Sequence, residues 1–138
     1  MKKNKFYRIL SLILFSAISL ALLVACTAKL PEGFEEAEVK IAAEEVIYLL
    51  DQRDVDGLKS ILTEDMKVGL TDEVREQIFN VLDQVGAVEE IVEIKTGGNT
   101  ENNITYAVAV ATVKHANQEV TYTISFTDDM KLAGLYLQ

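Results

Sequence analysis

Two periods divide the chain. Between Phe34 and Val85 the apolar residues recur at three- and four-residue steps, and after Gly86 they alternate with polar ones. In the first zone Val39, Ala43, Val46 and Leu50 form one stripe, widened by Ala42 and Leu49. That stripe predicts an amphipathic helix ending between Asp51 and Asp54. Glu36 and Lys40 sit four apart on its polar side, a spacing that pairs opposite charges. A short second helix follows, with Asp54 as N-cap and Leu58, Ile61 and Leu62 facing inward. A third begins at Thr71, where Asp72 and Glu73 place negative charge at the positive end of the helix dipole. It carries Val74, Ile78, Val81 or Leu82, and Val85, and stops at Gly86, a residue suited to leaving a helix.

The alternating zone predicts four strands: Ala87 to Thr96, Ile104 to Lys114, Glu119 to Thr127 and Leu132 to Leu137. The segments GGNTENN, HANQ and DDMK between them read as turns. Turns this short join antiparallel neighbours, so the strands should form a meander. Helices first and sheet afterwards predict an α+β fold, its N-terminal helices packed on one face of a four-stranded antiparallel sheet. In the third strand Val120, Tyr122, Ile124 and Phe126 should face the helices. In the second strand Ile104, Tyr106, Val108 and Val110 are assigned to that side, and Thr105, Ala107, Ala109 and Ala111 to the other. The outer face would then be smooth, built of Ala, Thr and Ser. Two such faces approach to about 10 Å, so a homodimer is one reading.

The first 33 residues have a different character. Lys2, Lys3, Lys5 and Arg8 precede a 17-residue apolar run from Ile9 to Ala25, interrupted only by Ser11, Ser16 and Ser19. A basic start, an apolar middle and a small-residue exit define an export signal. The run ends in Leu23-Val24-Ala25-Cys26, which resembles the lipobox of bacterial lipoproteins. By that resemblance residues 1–25 are a signal peptide, Leu23, Val24 and Ala25 are read by the signal peptidase, and Cys26 is lipidated and becomes the mature N-terminus. Two or more acyl chains would hold the protein stably on the extracytoplasmic side of the cell membrane. Residues 26–33 form a short tether, and the seven residues from Thr27 to Gly33 reach at most about 25 Å. Residues 34–138 then form a single domain.

Four of the 13 Lys and Arg residues lie in the signal, leaving nine against 22 Asp and Glu, a net charge of −13. That charge repels phosphate polymers and excludes nucleic acid as a partner. Cys26 is the only cysteine, so no disulfide supports the domain.

The stretch DVDGLKSILTEDMKVGLTDEVREQIFNVLDQVGAVEEI and the ending YTISFTDDMKLAGLYLQ resemble a bacterial family of small domains with no assigned function, of the nuclear-transport-factor-2-like, cystatin-like cone type. The features that carry the resemblance are Asp54 and Gly57, Leu70-Thr71, Gly86-Ala87 and Ala133-Gly134-Leu135-Tyr136. It implies a cone-shaped α+β fold, which hosts isomerases, dehydratases, adaptors and binding modules alike, so no activity follows from it.

Candidate chemistry is sparse. His115, the single histidine, falls in the HANQ turn and is expected to be a solvated surface group. No metal site, nucleophile motif or phosphate-binding loop is present in the sequence, and no catalytic residue or cofactor is assigned. A cavity lined by Tyr48, Asp51, Tyr106 and Tyr122 would bring a carboxyl group among tyrosines, the arrangement a proton-transfer isomerase or dehydratase uses. The leading expectation is a non-catalytic, membrane-anchored lipoprotein that binds a protein partner or small ligand at the envelope. The cavity enzyme and the homodimer are the alternatives. Cavity size and lining separate them.

Overall fold

The computed structural model describes residues 29–138. The signal, the lipobox residues Leu23, Val24 and Ala25, and Cys26 lie outside the described residues. Helix α1 (Glu36–Asp51) buries Val39, Ala43, Val46, Ile47 and Leu50, the expected stripe with Ile47 added. Helix α2 (Val55–Ile61) starts at Asp54, whose carboxylate accepts from the Gly57 backbone N–H at 2.9 Å. Helix α4 (Asp72–Val85) starts at Thr71, whose hydroxyl accepts from the Val74 N–H at 3.3 Å. It ends at Gly86, held at φ 84°, a left-handed conformation that glycine adopts without steric cost.

A further helix, α3 (Glu64–Gly69), was not legible in the apolar period. It is less than two turns long and contains no fully buried residue, so it leaves no stripe. Its cap is conventional: the Thr63 hydroxyl accepts from the Met66 N–H at 3.2 Å.

The sheet is antiparallel in the order β1-β2-β3-β4, comprising β1 (Val88–Glu101), β2 (Ile104–His115), β3 (Glu119–Phe126) and β4 (Leu132–Leu137). Strand β1 runs through Gly97 and Gly98 rather than turning there. The turn is only Asn102 and Asn103, at φ 51° and 64°, the left-handed pair that a two-residue hairpin loop requires. Gly98 serves a different purpose. A Cβ on it would lie 2.6 Å from Pro31 Cγ, so its bare backbone lets the N-terminal segment cross the sheet edge. At the opposite edge Leu62 forms a parallel bridge to Leu132, and the Thr63 N–H donates to the Leu132 carbonyl at 3.0 Å. This bridge covers the start of β4 at the outer edge of the sheet.

The register corrects the expected facing of β2. Ala107, Ala109, Ala111 and Val113 pair with Phe126, Ile124, Tyr122 and Val120, and directly opposed residues share a face. All eight are buried in one core with α1, α2 and α4. The alanines therefore face the helices, while Tyr106, Val108 and Val110 lie on the far face with Thr121, Thr123 and Ser125. The physical reason is thickness. Helix α1 lies across β1 and β2, and methyl side chains there let its backbone approach, while the large β3 residues fill the space beside it. The outer face is consequently not the smooth Ala/Thr/Ser surface expected. It carries Tyr106, Val108, Val110 and the half-exposed Tyr136.

Candidate functional site

The four residues expected to line one cavity do not converge. Tyr48 is 47 % exposed on α1, and Tyr106 lies on the sheet face turned away from the helices. Only Asp51 and Tyr122 are electrostatic neighbours. Asp51 is occupied structurally: its Oδ1 accepts from the Val88 N–H at 2.9 Å, tying the end of α1 to the start of β1.

His115 is likewise not a solvated turn residue; it is 2 % exposed. Strand β2 extends through it, so the alternation of Ala111 and Val113 carries His115 onto the core face. Its Nδ1 lies 2.7 Å from the Gly86 carbonyl, which can only accept, so Nδ1 bears the proton. In the neutral ring Nε2 is then the acceptor, and the Tyr122 hydroxyl donates to it at 2.9 Å. The two rings stack with centroids 5.9 Å apart. Both polar groups are satisfied inside the core. The pair fastens the end of α4 to β2 and β3. The signal for it was parity: counting alternate residues from Ala107 reaches His115.

Burial, reinforced by the Asp51 carboxylate and opposed by Arg53, pushes the Tyr122 hydroxyl from 10.0 up to about 12. The unfolded chain releases this proton near pH 10, whereas the folded protein keeps it to about pH 12. Stability from this group is therefore complete below pH 10 and falls by about 3 kcal/mol as the pH rises through that interval. Tyr122→Phe should abolish that part of the alkaline decline. Equal losses for both proteins between pH 10 and 12 in urea titrations would exclude the assignment.

An apolar hollow lies elsewhere, between the helices and β4, with a volume of about 340 Å³. Buried Leu50, Leu58, Leu62 and Leu132 form its floor. Met66 and Leu70 close one wall, Ile78 and Leu135 another, and Gly69 with Val74 stands at the exposed rim. No titratable side chain and no aromatic ring lines it. A water molecule needs two to four polar partners, and this lining supplies no side-chain donor or acceptor. The hollow suits an apolar guest and offers nothing for proton transfer. Sequence reading missed it because its walls come from five elements, and one of them, α3, has no periodic signature.

Among the described residues no group of three or more His, Cys, Asp or Glu is placed to hold a metal ion. Among the same residues no helix is long and apolar enough to cross a membrane.

These features define a small α+β domain with an open four-stranded antiparallel sheet, a buried polar pair in the core and an apolar hollow. Residues 43–135 match the family model described as "Protein of unknown function (DUF3887)". The match spans more than half of the chain, and the chain belongs to that family. An NMR structure of a protein from Ruminococcus gnavus ATCC 29149 is similar, with a TM-score of 0.70 and 28 % sequence identity. The similarity covers 78 % of this chain and 95 % of that one. No curated protein matches the chain.

Proposed function

We propose that this protein is a bacterial lipoprotein, tethered through Cys26 to the extracytoplasmic side of the cell membrane, whose domain binds a small apolar ligand without chemical conversion. The basic start, the apolar run and the Leu23-Val24-Ala25-Cys26 segment support the tether. The observation that carries the binding role is the hollow of about 340 Å³, within the size range of small-molecule sites and lined by aliphatic side chains. The isomerase or dehydratase alternative needs a carboxyl group and tyrosines around a cavity, and Asp51 and Tyr122 line none of this one. The order of helices and strands, together with the Asp54, Gly57 and Ala133-Gly134-Leu135-Tyr136 features, supports the nuclear-transport-factor-2-like cone as the fold type.

Two measurements test this reading. Mass spectrometry of the protein from its membrane fraction should show diacylglycerol on an N-terminal Cys26, and Cys26→Ser should release the protein from that fraction. A chain that still begins at Met1 without lipid would exclude the tether. For the ligand, methyl NMR spectra of residues 27–138 titrated with toluene should show saturable shifts at Leu58, Leu62 and Leu132. Unmoved methyl groups would exclude a binding hollow.

A further inference from the structure

We infer that the hollow takes one unbranched alkyl chain of an amphiphile whose head bears no net negative charge, with the head left in solvent at the Gly69–Val74 rim. The inference rests on the binding role proposed above and names the ligand class.

Three observations carry it. The lining is aliphatic, with Met66 and leucines that adapt to a flexible chain and no ring on which an aromatic guest could stack. The volume of about 340 Å³ is roughly twice that of an engineered apolar cavity known to hold benzene, enough for an extended chain segment. The rim is acidic. Val74 follows Asp72 and Glu73 and precedes Glu76, with Arg75 held in an ion pair to Asp72 at 3.0 Å. Helix α3, which ends at Gly69, opens with Glu64 and Asp65, and Lys67 is paired to Glu64 at 2.6 Å. A carboxylate or phosphate monoester head would meet this field as a like charge, whereas a sugar, an alcohol or a zwitterion would not.

The test is a titration of residues 27–138 with alkyl β-glucosides of increasing chain length, each below its micelle concentration, and with the sodium carboxylates of matching length. Affinity for the glucosides should rise roughly fourfold per added methylene until the hollow is full. Methyl signals of Leu62, Met66, Ile78 and Leu132 should move together. The carboxylates should bind several-fold more weakly at low ionic strength, with the gap narrowing as salt is added. Gly69→Leu should abolish binding while keeping the fold, because a Cβ there meets open space and leucine is the better helix former. Should that variant not fold, the methyl shifts still locate the site.

Toluene binding without any glucoside binding would overturn the alkyl class and leave the apolar site intact, whereas failure of every apolar probe would remove both. Equal or tighter carboxylate binding would overturn the head-group assignment. Methyl shifts already present in the native lipidated protein, and absent after Cys26→Ser, would identify the guest as the protein's own acyl chain and overturn an exchangeable amphiphile.

Discussion

His115→Ala is expected to destabilise the domain by about 3–5 kcal/mol, the largest single effect anticipated outside the main apolar side chains. Two losses combine. The stacked ring leaves a hole in a core that cannot fully collapse around it. The Tyr122 hydroxyl, with no exposed surface, and the Gly86 carbonyl lose their partner. Against a total stability of roughly 5–15 kcal/mol, such a loss leaves the variant marginal. The double change His115→Leu with Tyr122→Phe should recover much of it, since replacing both partners by apolar groups removes the unsatisfied hydroxyl. Urea unfolding followed by circular dichroism measures both. A cost under about 1 kcal/mol for His115→Ala would mean the ring sits in water.

Ala109→Leu should cost about 3 kcal/mol, because Ala109 is fully buried between the sheet and α1 and the added carbons have nowhere to go. Val110→Leu, one residue along and on the opposite face, should change stability by only about 0.5 kcal/mol. The contrast decides which face of β2 meets the helices. If the two substitutions exchanged their effects, the register of β2 against β3 would be one residue from the arrangement described, since a slip of one reverses every side chain.

The pair of substitutions also marks where sequence reading succeeded and where it stopped. Between Val120 and Phe126 in β3 every inward position is large and every outward one is Thr or Ser, so the face was plain. In β2 the inward positions are alanines and the outward ones include Tyr106, Val108 and Val110, so hydrophobic size pointed the wrong way. Only pairing with β3 resolves it. Helix caps were legible at Asp54 and Thr71 because each acts on backbone groups within three residues. Helix α3 was not, since with no buried position it has no stripe to read. The Gly97-Gly98 pair looked like a turn, yet Gly98 is glycine because Pro31 lies against it, a contact between residues 67 apart in the chain.

By itself the sequence determined what depends on near neighbours: three of the four helices with two of their caps, the four strands, the α+β class and the net charge. Tertiary structure alone decided the buried His115–Tyr122 pair, the separation of Tyr48 and Tyr106 from Asp51 and Tyr122, and the aliphatic hollow. The reason is one of range. Propensity and capping act over a few residues, whereas a cavity or a core hydrogen bond exists only once segments distant in the chain have packed.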